Sequence, residues 1–327
     1  MGMSIAVSRD PATLLDEAVA GGRVALARLL TMVERGGAAS RAVAGLAYRC
    51  PPPYTVGLTG APGAGKSTLT DRLITAARAG WPAAGGQDAE ALSQVSVLAI
   101  DPSSPFTGGA ILGDRVRMQE HATDPSVFIR SMATRGHLGG LSLAVPDAVR
   151  VLGAGGMPLV LLETVGVGQM EVEVASAADS CVVVVNPGWG DAMQANKAGL
   201  LEIADIFVIN KADRPGAREA RRDLDQMLDL SRLGAWRPPI IETIAADGTG
   251  VDELWAAIAA HRAQLIDAGE LAPRREQRLA VQLRRVVAAR LAERVEQVAD
   301  GEVFHARVAA LAAGTTDPYS ATDDLLS

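Results

Sequence analysis

Short runs of β-branched and aliphatic residues alternate with longer amphipathic stretches through the middle of this chain, and that alternation restricts the fold more than any other feature. The runs are residues 54–59, 95–100, 126–129, 159–163, 180–186, 206–210 and 240–243. Each has the length and composition of a strand, and helical stretches lie between most of them. Strands separated by helices are parallel strands joined by crossovers. The expected fold is therefore α/β, with a doubly wound, mainly parallel sheet covered on both faces. Ligands of such sheets bind beyond the carboxyl ends of the strands, so functional residues are sought immediately after each run.

Directly after the first run stands Gly60-Ala61-Pro62-Gly63-Ala64-Gly65-Lys66-Ser67, followed by Thr68, a match to G-x-x-x-x-G-K-[ST]. Glycines let the backbone curl until successive N–H groups converge on phosphate oxygens, and a helix starting near Lys66 points its positive end at the same anion. Lys66 is expected to reach the β- and γ-phosphates and the Ser67 hydroxyl to ligate Mg²⁺. The plain alternative, an ordinary Gly-rich turn, is disfavoured by the strand before the motif and the helix after it. A P-loop nucleotide-binding domain is the reading that follows.

Asn210-Lys211-Ala212-Asp213 follows the run 206–210 and so lies at a strand end, on the same edge as the phosphate loop. In this N-K-x-D pattern the Asp213 carboxylate can accept two hydrogen bonds from guanine N1–H and the exocyclic N2 amine. Adenine lacks that donor pair, which would leave the carboxylate unpaired. Asn210 is expected to fix N7 and nearby loops, and the Lys211 stem to lie against the base. The segment Thr243-Ile244-Ala245-Ala246 offers a backbone N–H, assigned to Ala245, for guanine O6, although it lacks the Ser-Ala pair usual there.

A nucleoside triphosphate needs Mg²⁺ held by oxygen ligands. Asp101 closes one strand run and Glu163 another, and Asp114 ends a Pro- and Gly-punctuated loop that begins at Asp101. Asp101, Asp114 and Glu163 are the candidate metal and catalytic acids, with helix capping or a solvated loop charge as the alternative for Asp101 and Asp114. Glu163-Thr164-Val165-Gly166 occupies the place of D-x-x-G, which leaves Gly166 N–H for a γ-phosphate. Small GTPases carry a water-orienting Gln immediately after that glycine. Here Val167 stands there and Gln169 lies two residues further on, so intrinsic hydrolysis is expected to be slow until a partner accelerates it.

The flanks are helical. Apolar residues recur at helical spacing from Pro11 to about Gly45, broken at Gly21-Gly22 and Gly36-Gly37, before Pro51-Pro52-Pro53 ends the segment. Residues 251–268 read as one helix. Beyond Pro273 a second places Leu279, Leu283, Val287, Leu291, Val295 and Val298 on one face, either packing on the main domain or gripping a second subunit. The polar tail 314–327 is expected to be loose. The resulting division is a helical segment 1–50, a P-loop domain 51–268 and a helical arm with tail 269–327.

Composition narrows the partners. With 31 Lys+Arg against 38 Asp+Glu the net charge is −7, which argues against nucleic acid or an anionic membrane as the main ligand. Aromatics at 3% make a base-stacking platform improbable and call for a core of Ala, Val, Leu and Ile. Cys50 and Cys181 stand in unrelated contexts and His121, His137, His261 and His305 lie far apart, so free thiols in a reducing cytoplasm and no transition-metal site are expected. No stretch approaches the roughly 20 apolar residues of a membrane span, and the N-terminus does not read as a signal peptide.

Taken together, the phosphate loop, Asp101-Pro102-Ser103-Ser104, Thr107-Gly108-Gly109, Leu112-Gly113-Asp114, the run Glu163-Thr164-Val165-Gly166-Val167-Gly168-Gln169, Pro187-Gly188-Trp189-Gly190-Asp191 and Asn210–Asp213 resemble the MeaB/ArgK-type GTPases. These are G-protein chaperones of methylmalonyl-CoA mutase and related acyl-CoA mutases. The resemblance implies a homodimer with a helical N-terminal segment, a Ras-like but differently wound G domain and a C-terminal dimerisation arm. It also implies that binding and hydrolysis of GTP gate adenosylcobalamin loading and removal of damaged cofactor. Asp191, Gln194 and Lys197 then fall in a switch that carries the mutase's signal; without the resemblance, Asp191 reads as a helix cap and Lys197 as a solvated charge. Trp189 departs from the smaller residue usual in this loop. The alternatives are a P-loop kinase, as in the older ArgK transport-kinase label, a nickel-delivery GTPase, whose His- or Cys-rich sites are missing here, and an interaction module with a vestigial phosphate loop.

Overall fold

The computed structural model describes residues 10–82, 92, 94–102, 121, 123–134, 140–164, 177–188, 202–231, 234–299 and 301–326. Helices α1 (Pro11–Val19), α2 (Arg23–Arg35) and α3 (Gly37–Ala47) come first. Asp10 caps α1 by accepting from Thr13 N at 2.9 Å, with Pro11 in the first turn where its missing N–H costs nothing. Then follow β1 (Tyr54–Gly60), α4 (Lys66–Arg78), β2 (Val95–Pro102), β3 (Val127–Thr134), α5 (Gly140–Ala154), β4 (Leu159–Thr164) and β5 (Ser180–Val185). Next are β6 (Ile206–Asn210), α6 (Ala217–Asp229), β7 (Ile240–Thr243), α7 (Val251–Asp267) and α8 (Leu271–Ala299), with α9 (Glu302–Ala312) and α10 (Pro318–Leu326) at the end.

The strands form one seven-stranded sheet in the order β3-β2-β4-β1-β5-β6-β7, and every pairing is parallel. The doubly wound α/β fold expected from the alternation is present. After β4 the chain crosses to the other side of β1, so β1 lies at the point where the winding reverses and its carboxyl end is the natural binding crevice.

Successive residues of a strand face opposite sides of the sheet. Leu159 and Leu161 join the core under α4 and α7, whereas Val160 and Leu162 join the core under α1, α2, α3 and α5. The N-terminal helices therefore share a core with β2, β3 and β4. A third cluster packs α6 on β5 and β6 through Phe207, Leu224 and Leu228. The scarce aromatics serve packing too: Trp81 stacks on Trp255 with ring centroids 4.4 Å apart, and Tyr54 meets Trp81 edge-on at 5.7 Å.

Two expectations about the C-terminal part are corrected. The tail is not loose throughout, because Pro318–Leu326 is helical: Asp317 accepts from Tyr319 N at 2.9 Å and Ser320 N at 3.1 Å, and Pro318 opens the helix. Asp-Pro before a polar stretch is a helix start that polarity alone concealed. The long helix also starts at Leu271, ahead of Pro273, because proline is tolerated in a first turn.

The chain divides into two compact units, Met1–Arg278 and Leu279–Ser327. In the second, Leu283, Val287, Leu291 and Val295 are at least half exposed on the remainder of α8, and Arg307 pairs with Asp324 at 3.0 Å. No helix among the described residues is long and apolar enough to cross a membrane.

At the amino ends of β1 and β5, opposite the binding crevice, Asp179 joins three parts of the first unit. It accepts from Thr55 N at 3.0 Å on β1, from Arg275 at 2.6 and 3.0 Å in a forked contact, and from Arg278. Beside it, Tyr54, Ser180, His261 and Asp205 form a buried chain with contacts of 2.7, 2.7 and 3.2 Å. His261 has no exposed surface, so this Ser-His-Asp order is a structural network with no path for a substrate. Burial pushes the Tyr54 hydroxyl and the Cys181 thiol well up, keeping both protonated. Burial also pushes the Asp179 carboxyl up, but the guanidiniums of Arg275 and Arg278 outweigh it and hold the group below its ordinary value.

Removing one partner of a buried ion pair leaves the other uncompensated, so Asp179→Ala is expected to cost about 3–5 kcal/mol in chemical denaturation. A carboxyl lowered in the fold contributes stability fully above its unfolded value, about 3.9, and loses it as pH falls through the lower folded value. Stability of the natural chain should therefore fall below about pH 4, and Asp179→Asn should remove part of that slope. Equal acid slopes for the two proteins would show that Asp179 does not carry it.

Candidate nucleotide-binding site

The loop after β1 is shaped by what two glycines lack. Gly60 has φ +130°, and a Cβ there would run into the Val184 carbonyl of the neighbouring β5. Gly65 has φ +93°, and a Cβ there would strike the Asn210 side-chain amide. Both positions need glycine for conformation and for close approach. The loop then turns directly into α4, whose first residues are Lys66 and Ser67. A helix start presents N–H groups and positive potential to anything held in the loop.

Lys66 and Ser67 are buried, at 5% and 8% exposure, although both are polar. Lys66 Nζ donates to Gly60 O at 2.6 Å and Ala61 O at 3.0 Å, which holds the ammonium against the loop. Ser67 Oγ donates to Glu163 Oε1 at 2.5 Å. Glu163, 2% exposed, is the penultimate residue of β4 and stands in register with Leu58 of β1, so the strand pairing carries this acid to the phosphate loop. Ala64 is buried beneath the loop, while Pro62, Gly63 and Thr68 are exposed.

Asn210 and Lys211 tie the end of β6 to the same loop. Asn210 Nδ2 donates to Ala64 O at 2.7 Å, and its Oδ1 accepts from Thr243 Oγ1 and Ala245 N, each at 3.1 Å. Asn210 thus fixes the neighbouring loops as expected, and the N7 role would fall to the amide's second N–H. Lys211 has φ +61°, the left-handed conformation for a residue with a side chain, and its Nζ donates to Gly63 O at 2.6 Å. That places the lysine stem across the mouth of the loop, with Asp213 exposed two residues on. The Ala245 N–H, expected to meet a base, is used by Asn210.

One contact of this site was not legible in the sequence. Arg72, half-buried on α4, donates from Nε to Ala245 O at 3.2 Å and from Nη2 to Ala246 O at 3.0 Å. No spacing rule links positions so far apart in the chain; only the packing of α4 against α7, the helix that follows the turn, brings them together.

Asp101 is at the carboxyl end of β2, on the same edge, with its backbone in register with Ala133; its side chain lies outside the described residues. Asp114, Gly166, Val167, Gln169, Trp189, Asp191, Gln194 and Lys197 also lie outside them. Among the described residues, the donors beside the loop suited to a metal are the Ser67 hydroxyl and the Glu163 carboxylate. Oxygen donors in contact at a phosphate-binding helix start fit a hard divalent cation such as Mg²⁺ and do not suit a soft one.

The family model described as methylmalonyl Co-A mutase-associated GTPase MeaB matches residues 26–300. A Pyrococcus abyssi protein provisionally named a GTPase is 47% identical over 96% of this chain and 95% of its own length. GTPase ArgK of Escherichia coli is 36% identical, covering 81% of this chain and 80% of its own. The mouse mitochondrial methylmalonic aciduria type A homolog is 37% identical over 68% of this chain and 52% of its own. Among solved structures, a LAO/AO transport system kinase superposes over 98% of both chains with a TM-score of 0.68 and 26% identity. A match this long, on a sheet and loop built as described, has one reading: the chain belongs to the MeaB family of GTPases.

Proposed function

We propose that this protein is a guanine-nucleotide switch that serves a cobalamin-dependent acyl-CoA mutase, using GTP hydrolysis to gate adenosylcobalamin loading and protect the loaded enzyme. The observation that carries the nucleotide half is the convergence of the β1, β4 and β6 ends through Lys66, Glu163 and Asn210. The mutase half is supported by the family's description and by the disease name carried by the mouse relative.

In this reading, backbone N–H groups of residues 60–68 and the Lys66 ammonium bind the phosphates, and Asp213 reads the guanine edge. Ser67 and Glu163, with Asp101 and Asp114, would hold Mg²⁺, which would supply the positive charge that neutralises negative charge developing on the phosphates. Gly166 N–H is assigned to the γ-phosphate. Asp191, Gln194 and Lys197 are assigned to the segment that answers the partner. The chain works in the cytoplasm as a homodimer joined through the apolar face of the arm, 269–327, whose Leu283 and Leu291 are 64% and 57% exposed. Residues 1–50 support the sheet face behind the P-loop domain, 51–268. The kinase alternative would transfer the γ-phosphate to an acceptor, whereas this reading releases it to water.

Asp213→Ala is expected to weaken GTP binding about 100-fold, leaving melting temperature and the weak binding of ATP unchanged. Unchanged GTP affinity would overturn the base assignment. The purified chain should hydrolyse GTP slowly to GDP and inorganic phosphate, with turnover rising about tenfold or more when a client mutase is added; fast turnover without a partner, or phosphate recovered on an amino acid, would count against the switch. The double substitution Leu283→Glu with Leu291→Glu should convert a dimer into a folded monomer in sedimentation velocity. An unchanged dimer mass would remove the arm from the interface.

A further inference from the structure

The loop between β7 and α7 is a closed turn with two distinct ends. Asp247 N and Gly248 N both donate to Ile244 O, at 3.1 and 3.0 Å, so residues 244–248 wind like one turn of helix. In such a turn the N–H groups face one way and the carbonyls the other. The contacts bear this out: Ala245 N–H meets Asn210 at 3.1 Å on the side of the base motif, and the carbonyls of Ala245 and Ala246 meet the Arg72 guanidinium on the other side. Because the peptide unit is planar and trans, fixing the Ala245 carbonyl also fixes the direction of the Ala246 N–H, which is opposed to it.

We infer that Arg72 is a positioning residue for guanine recognition: by clamping the Ala245 and Ala246 carbonyls it aims the Ala246 N–H at the O6 oxygen of the bound base. Four features support this assignment. Asn210 uses the Ala245 N–H, so the donor to O6 moves one residue on, to Ala246. The guanidinium is a planar fork that holds two carbonyls at a defined separation, which a lysine ammonium on a flexible stem does not. A fixed cation at the carbonyl end also polarises the peptide units of the turn, strengthening the N–H groups at its other end as donors to a carbonyl oxygen. Arg72 also lies on α4, the helix that starts at the phosphate loop, so the same rigid element sets the phosphate end and the base end of the site.

The inference rests on the guanine reading above, and the test separates the two. Affinities for GDP, for IDP, which lacks the exocyclic amine, and for 6-thio-GDP, in which sulfur, a poorer acceptor, replaces O6 while N1–H and the amine remain, are measured by calorimetry on the full chain. The proteins are the natural chain, Arg72→Ala, Arg72→Lys and Asp213→Ala. Arg72→Ala is expected to lower the preference for GDP over 6-thio-GDP about tenfold, the effect of one hydrogen bond to a well-placed donor, while leaving the preference for GDP over IDP intact. Asp213→Ala should do the reverse. Arg72→Lys keeps the charge and stem if the alanine variant does not fold, and should show a smaller change in the same direction. Arg72 variants that keep the full O6 preference, alongside an Asp213→Ala that loses the amine preference, would overturn the role of Arg72 and leave the guanine site standing. A natural chain with neither preference would overturn both.

Discussion

Everything at the functional edge depends on how closely the phosphate loop approaches its neighbours. Gly60 lies against the Val184 carbonyl and Gly65 against the Asn210 amide, with no room for a Cβ at either place. Because the loop sinks to this depth, Lys66 and Ser67 become buried polar residues that must find partners inside the protein. They find them in the loop's own carbonyls and in Glu163 of the adjacent strand. The same depth lets the side chains of Asn210 and Lys211 reach over from β6. A larger residue at either glycine would lift the loop and dissolve this set of contacts together.

Much of this was legible in the sequence, because the informative signals are local. The strand runs 206–210 and 240–243 coincide with the observed β6 and β7, and the others differ from β1, β2, β4 and β5 by one or two residues at their ends, whereas the run 126–129 reaches only the first half of β3 and misses 130–134. A parallel strand buried on both faces is a short apolar run bounded by breakers, and these stand out at period-free hydrophobicity. The phosphate loop and Asn210–Asp213 are contiguous, so their chemistry reads directly. What escaped is long-range or set by one capping residue. The Arg72 clamp joins α4 to a turn beyond β7, and the Asp179 hub joins β1, β5 and α8. The helix at Pro318–Leu326 turns on Asp317, which mean polarity cannot reveal. Pairings like these follow from sheet order, and sheet order is not written in any one segment.

The two ends of the sheet divide the work. At the amino ends, Asp179 and Asp205 gather Arg274, Arg275 and Arg278 from the start of α8, away from the crevice. At the carboxyl ends the loop is neutralised sparingly, by Lys66, Lys211 and backbone N–H groups. That economy explains how a chain of net charge −7 is suited to a polyanionic ligand. A loop that binds phosphate with peptide dipoles needs no basic surface around it, and it avoids the non-specific attraction to nucleic acid that such a surface brings.

Sheet order also determines which parts of the site are tied together. Asn210 ties the phosphate loop to β7 and the base turn, and Arg72 ties that turn back to α4, so base and phosphate ends form one cross-braced body. In the proposed function, the difference between GDP and GTP, one phosphate, falls to other segments. In the sheet, β4 and β5 flank β1, and β2 lies next to β4. The segments that leave these three strands carry Asp101 and Asp114, then Gly166, then Asp191, Gln194 and Lys197. The contacts of Asn210 thus brace the loop after β1 to the ends of β6 and β7, whereas the residues assigned above to the metal, the γ-phosphate and the partner stand at or after the ends of β2, β4 and β5 in the sequence. Glu163, buried near the end of β4 and bonded to Ser67 at the start of α4, links the two sets, and in the proposed function it is the contact through which loss of a phosphate would reach both.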